Sequence, residues 1–425
     1  MLGVYIPEGF GQSLRPKLAA AQAGTGKITY AVVADSIGQG CYGSTFALGS
    51  FAARVGASLR GADLSASDGG SGFTGSAYTK TYLDKLTGAA TVSSFYAPEL
   101  WTLAGTTDIE IPSLSNANFS ADGPGAVCLQ MAAGATATAT VRGTTVTVWG
   151  RQLDGNAQTY SIQIDGGAVN SYTTAVAKGI WRQTFSGLAP GAHTVKVTAT
   201  TPGAANIFYL NGFKGENASG VVVDNYAVSG MASFAYNGVT GNQSAFNGVT
   251  TSASSGLYGP AIDWSGGVQN PADVLVYALA WNDADNARLL DRFAHDVNLA
   301  LYAFRNSGQD KEIAVVVPHL GKAGEGKTFA AGKGYNAEYA ARLRALASAY
   351  GAAFVNFHEI GQCNSDWWAS RGYGSVGKTA PGAVAANVAA WDGAHQSDAG
   401  AAFMASTLLP VLQGKVGAQT LPVIR

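Results

Sequence analysis

An unbroken apolar run at residues 30–34, YAVVA, most constrains the fold of this chain of 425 residues. A strand with one wet face alternates apolar and polar side chains. A run without alternation fits a strand covered on both faces, as in a parallel sheet. The run leads directly into DSIGQG, where Gly38 and Gly40 let the chain bend just after Asp35 and Ser36. A helical pattern follows from Ser44 to about Arg60, with Leu48, Phe51, Val55 and Leu59 spaced as one apolar stripe. A strand, a serine on the turn and then a helix is how α/β enzymes expose a nucleophile at the carboxyl edge of a sheet. It is equally the pattern of an ordinary βα turn, where Ser and Asp are common.

The same alternation returns late in the chain. Residues 220–224, 273–279, 312–317 and 353–357 read as strands. Residues 285–304, 335–350 and about 398–409 read as helices, the last with Ser397 placed to cap it. Strands that alternate with helices imply a parallel sheet. Between these parts, from Phe119 to about Gly215, the period changes. Residues 145–149, 160–164 and 194–198 alternate in polarity, and DGG at 165–167 and PG at 190–191 and 202–203 mark turns. Short strands at this spacing, with no helical pattern among them, read as an antiparallel β-sandwich. The expected organisation is one α/β domain made of residues 1–117 and 218–425, with a β-sandwich at 118–217 inserted after the first βα unit. Helical patterns at 14–21 and 78–86 complete the reading.

Charged residues are only 12% of the chain and glycine supplies 56 positions, too apolar for disorder and too glycine-rich for a helical bundle. A net charge of −1 gives no electrostatic basis for binding nucleic acid or an acidic membrane. The cysteines, Cys41, Cys128 and Cys363, are odd in number and have no metal-ligand spacing, which argues against a disulfide framework. Cys41 has no histidine near it in sequence and reads as a small buried residue. No run of about 18 apolar residues predicts a membrane span. The first residues lack the basic region and apolar core of a standard signal peptide. Low charge and the Gly, Ser, Thr and Asn content lean toward an extracellular or virion setting, with a cytoplasmic one left open.

A reactive serine needs a base, a group to orient that base, and donors for the oxyanion. Among the histidines, His193 falls in the β-rich part and His295 inside a helix. His319 and His358 each follow a strand. His395 stands in WDGAHQSDAG, three residues after Asp392, where a short turn brings a carboxylate onto an imidazole. Candidate donors are the Ser36 N–H, Gly230 after the strand at 220–224, and Asn282 after the strand at 273–279.

ADS at 34–36, Gly230, WND at 281–283 and DGAH at 392–395 occur in the order of the four signature blocks of the SGNH (GDSL-type) hydrolases, which the α/β part resembles. The resemblance implies a flavodoxin-like three-layer α/β/α sandwich and a serine esterase or deacylase activity. By position, Ser36 resembles the nucleophile, His395 the base and Asp392 its orienting carboxylate, with Ser36, Gly230 and Asn282 forming the oxyanion hole. The sequence departs from the family at Ala34 and Ala280, where glycine is usual. The segment at 118–217 resembles the jelly-roll modules carried by SGNH carbohydrate esterases and phage tail proteins, and WRQTFSGLAPGAHTVKVT resembles their closing strand-turn-strand. Trp149, Tyr160, Trp181 and Phe208 are either glycan-stacking or core rings.

The expected function is hydrolysis of short acyl esters, most plainly O-acetyl, on a polysaccharide, with Trp281 walling the acyl pocket. The chemistry calls for no metal or organic cofactor. The rivals are a lipid or small-ester hydrolase, and a glycan-adsorbing virion or surface protein with weak catalysis. Assembly as a homo-oligomer or within a virion stays open.

Overall fold

The computed structural model describes residues 3–40, 43–44, 46–61, 64–75, 101–105, 107–110, 128–152, 157–174, 179–201, 208–227, 232–233, 272–285, 288–308, 310–321, 336–377 and 383–415. They form two compact units. The described residues up to Asp68 and from Ser219 onward make the first, and those from Gly69 to Ala218 make the second.

The first unit is built on one sheet. Across it lie Gly220–Asn225, Lys27–Ala34, Val274–Ala278, Glu312–Val317 and Ala353–Asn356, all parallel, with Val4–Tyr5 antiparallel at the far edge. Counted along the chain, the parallel strands run 2-1-3-4-5, the flavodoxin-like order. Nearly every residue of these strands is buried, which is why the sequence shows unbroken apolar runs. Ile28, Tyr30, Val32 and Ala34 pack on one face with Leu14 and Leu18 from Leu14–Gln22, Phe51, Val55 and Leu59 from Phe51–Leu59, and Phe403 and Leu408 from Asp398–Leu412. Helices Leu290–Asn306 and Asn336–Ala349 lie on the other face. They bury Phe293, Val297, Leu301, Tyr339 and Leu343. The result is a three-layer α/β/α sandwich, the architecture that the resemblance to the SGNH hydrolases implies.

Local structure refines the expected elements. The helix expected at 44–60 is two helices, Phe46–Gly49 and Phe51–Leu59, separated at Ser50. Ser50 is extended and its Oγ accepts the Ala53 N–H at 3.3 Å, so it starts a new helix. Leu48, read as part of the buried stripe, is 43% exposed. The helix expected from 285 begins at Leu290, after a separate turn of helix at Trp281–Asp285. Ser397 caps Asp398–Leu412 through the Gly400 N–H. The pattern at 78–86 lies outside the described residues. No helix among the described residues is long and apolar enough to cross a membrane.

The second unit holds two antiparallel sheets. One orders Val169–Thr173, Thr159–Ile164, Ala192–Thr201, Thr136–Arg142 and Trp101–Ala104; the other orders Gly179–Ser186, Thr145–Gln152, Phe208–Glu216, Cys128–Met131 and Thr107–Glu110. Gly72–Gly75 also pairs with Phe208–Glu216. Alternation along the strands buries Ala137, Ala139, Val141, Val195 and Val197 of one sheet and Val146, Val148 and Phe213 of the other. Trp101 and Phe213 meet edge-on at 4.6 Å between them. Three of these strands precede residue 118, in a stretch whose Gly and Thr content conceals the period. Tyr160 stacks on Trp181 at 4.4 Å and lies 4.9 Å from Phe208. Trp149, Tyr160 and Phe208 are buried, so these rings serve the core.

Candidate active site

Lys27–Ala34 and Val274–Ala278 are neighbours, with Ala278 opposite Ala34. Strands one and three of a 2-1-3-4-5 sheet diverge in their connections here, the place where open α/β sheets bind ligands beyond their carboxyl ends. Both strands end on polar blocks, ADS and WND.

After Ala34 the chain turns through Asp35 into a one-turn helix, Ser36–Gln39. Asp35 Oδ1 accepts the Ile37 N–H at 2.9 Å and caps that turn. Gly40 closes it with φ of +86°, a conformation that favours glycine. Gly38 is required by close approach: a Cβ there would lie 2.2 Å from the Ala34 Cβ. Ala34 and Ala280 are fully buried, so their extra methyl groups lie in packing.

Asp392 organises the turn that carries His395. Its Oδ1 accepts the N–H groups of Ala394 at 3.0 Å and His395 at 2.9 Å. Its Oδ2 lies 2.7 Å from His395 Nδ1, and His395 Nε2 lies 2.8 Å from Ser36 Oγ. With an acidic acceptor at Nδ1, the neutral ring carries its proton there and presents Nε2 as the acceptor for the serine hydroxyl. Burial works against the Asp392 carboxylate, but the hydrogen bond from His395, its charge and the two backbone N–H groups hold the carboxyl below its usual range.

Asn282 Nδ2 donates to Asp35 Oδ2 at 3.3 Å, which sets the amide beside the Ser36 turn. Burial pushes Asp35 up to about 7, with the Ile37 N–H and His395 acting in the opposite direction. Asp283, the next residue after Asn282, is fully buried. It accepts from the Ser233 N–H at 3.0 Å, from Ser233 Oγ at 2.9 Å and from Arg288 Nη1 at 3.3 Å. Arg288 also pairs with Asp296. Burial raises the Asp283 carboxyl, against the pull of Arg288 and Ser233. This network ties WND to the chain just beyond Gly230, which itself lies outside the described residues. Trp281 is half-buried and packs against the hydrophobic core at the start of Trp281–Asp285.

The other histidines have different surroundings. His193 meets Asp165 at 2.7 Å in the second unit, and His295 is exposed on its helix. His319 and His358 are buried together, with ring centroids 5.3 Å apart, and His319 stacks on Trp368. Cys363 is exposed and free, whereas Cys41 lies outside the described residues. The Asp35–Asn282 bond and the Asp283–Arg288–Ser233 network have no local signature in the sequence. Their only signal is polar residues placed straight after buried strands.

The family model of GDSL-like lipases and acylhydrolases matches residues 184–408, just over half the chain. The chain belongs to the GDSL-like lipase/acylhydrolase family. The matched span holds Asn282, Asp392 and His395, whereas Ser36 precedes it and is brought to His395 by the fold. This GDSL-like chain is similar in fold to a peptidoglycan O-acetylesterase, at 16% identity over 97% of this chain and 99% of that chain, with a TM-score of 0.58. A family two carbohydrate esterase from Clostridium thermocellum, in complex with cellohexaose, aligns at 16% identity over 72% of this chain and 98% of that chain; its TM-score of 0.28 is below the level of a shared fold. No curated protein matches the sequence.

Proposed function

We propose that this GDSL-like esterase removes short acyl groups, acetyl foremost, from a polysaccharide. The observation that carries the reading is the continuous chain from Ser36 Oγ through His395 to Asp392, with links of 2.8 and 2.7 Å. His395 Nε2 takes the hydroxyl proton as Ser36 Oγ attacks the ester carbonyl. Asp392 holds the ring and stabilises the imidazolium. The oxyanion is met by the N–H groups of Ser36 and Gly230 and the amide of Asn282, each donor contributing roughly 3–4 kcal/mol to lowering the barrier. His395 then protonates the leaving alcohol. Water, deprotonated by the same imidazole, releases the acid from the acyl-enzyme. The polysaccharide part is supported by a fold shared over nearly its whole length with an enzyme that acts on O-acetylated peptidoglycan.

Acetate release from acetylated glycans and from p-nitrophenyl acetate, beside a long-chain ester, tests the proposal for wild type and Ser36→Ala. The expected result is Ser36-dependent turnover of acetyl substrates. No Ser36-dependent hydrolysis of any ester overturns the esterase mechanism. Preference for the long chain overturns the substrate class alone.

A further inference from the structure

Gln396, the residue after His395, takes no part in the mechanism above, yet it is 2% exposed and reaches the nucleophile turn. A one-turn helix leaves its last carbonyls without intrahelical partners. In Ser36–Gln39, Asp35 and Ser36 give their carbonyls to the Gln39 and Gly40 N–H groups, and among the described residues no backbone N–H meets the carbonyls of Ile37 and Gly38. Distant side chains donate to both. Gln396 Nε2 donates to Ile37 O at 2.7 Å and also to Gly49 O at 3.1 Å. Ser50 Oγ donates to Gly38 O at 2.7 Å, with Asn225 Nδ2 at 3.3 Å.

The amide of Gln396 thus uses both of its hydrogens on two separate segments, which fixes its orientation. Its Oε1 is buried with no hydrogen-bond partner among the described residues, a cost that an apolar side chain of the same size would avoid. The backbone around it is equally held. The Ser375 N–H donates to His395 O at 3.0 Å, the Ser397 N–H donates to Tyr373 O at 2.8 Å, and Trp391 Nε1 donates to His395 O at 2.8 Å. The imidazole is therefore mounted on a rigid segment, and the direct side-chain tie from that segment to the residue following Ser36 is Gln396.

We infer that Gln396 is a positioning residue that keeps the nucleophile turn and the base-bearing segment in register, and so maintains the Ser36–His395 hydrogen bond. The inference rests on the serine-esterase reading. Its test is Gln396→Met, close in volume but with no donor, compared with wild type and Ser36→Ala. The measurements are kcat and KM on p-nitrophenyl acetate, the rate at which a fluorophosphonate labels Ser36, and the melting temperature. Misplacement of reacting groups by a fraction of an ångström is expected to lower kcat and the labelling rate together by about 10- to 100-fold, with KM within about twofold. A variant that loses only melting temperature, with kcat and labelling unchanged, overturns the inference. Wild type that is inert to both ester and fluorophosphonate overturns the esterase reading, and the inference with it. Gln396→Glu, of equal length with at most one proton to donate, is the second variant should Gln396→Met not fold. It is expected to lose at least about tenfold in kcat, and wild-type kcat in a folded Gln396→Glu likewise overturns the inference.

Discussion

Asp392 uses both carboxylate oxygens on one turn: Oδ1 gathers two backbone N–H groups and Oδ2 takes the Nδ1 side of His395. An amide keeps the first role and loses the second. In Asp392→Asn the side-chain nitrogen that meets Nδ1 is itself a donor, which drives the ring to the tautomer that cannot accept from Ser36. The expected loss in kcat is about 10⁴-fold, measured on p-nitrophenyl acetate with KM little changed. On the proposed mechanism Asn282→Ala removes a single oxyanion donor and is expected to lower kcat by about 10²–10³-fold in the same assay. What the sequence made legible follows from distance along the chain. Asp392 and His395 are three residues apart, so their turn is a local pattern. The Asp35–Asn282 bond spans 247 residues and the Gln396–Ile37 bond spans 359, and no window of sequence contains either. Gln396 reads only as one more polar residue ahead of a capping serine.

Strands with both faces buried were legible as elements because burial removes alternation. Helix boundaries were less so, since they depend on single side chains with tertiary partners. Ser50 splits the helix expected at 44–60 while its Oγ also donates to Gly38 O, in the turn that carries Ser36. The strands Glu312–Val317 and Ala353–Asn356 carry His319 and His358 just past their carboxyl ends. Burial lowers His319 to about 3, with His358 adding to the effect, and lowers His358 to about 4. Both folded values lie below the unfolded value of about 6.5, so the unfolded chain binds more protons in between. The stability these neutral rings allow is present in full above about pH 6.5 and is lost as pH falls through about 4 for His358 and about 3 for His319. The slope approaches about 2.7 kcal/mol per pH unit where both rings are charged only in the unfolded chain. Urea denaturation between pH 7 and 4 measures it, and His319→Phe, which preserves the stack on Trp368, is expected to remove about half of that slope.

At the scale of the molecule, the alternation of strands and helices on either side of a strand-only stretch made the two architectures legible. The pairing order is implied by the family resemblance alone, because nothing in a strand states its neighbour; the 2-1-3-4-5 order that sets Ser36 beside Asn282 is a tertiary result. The early strands Gly72–Gly75, Trp101–Ala104 and Thr107–Glu110 escaped notice because they are short and lie in Gly- and Thr-rich sequence. In the second unit the aromatic rings fill the space between sheets. Phe208→Ala is accordingly expected to lower stability by about 3–5 kcal/mol, read as a shift of the urea midpoint.

The bond between Ser36 and His395 joins residues 359 positions apart. A ribosome adding about 5–20 residues per second makes the serine roughly 20–70 s before it makes the imidazole. Through that interval the nascent chain carries a hydroxyl of ordinary reactivity. On the proposed mechanism, hydrolysis waits until the segment leading into Asp398–Leu412 has emerged and docked. By that mechanism the chain is thereby silent until the segment bearing His395 has been made and has folded onto Ser36.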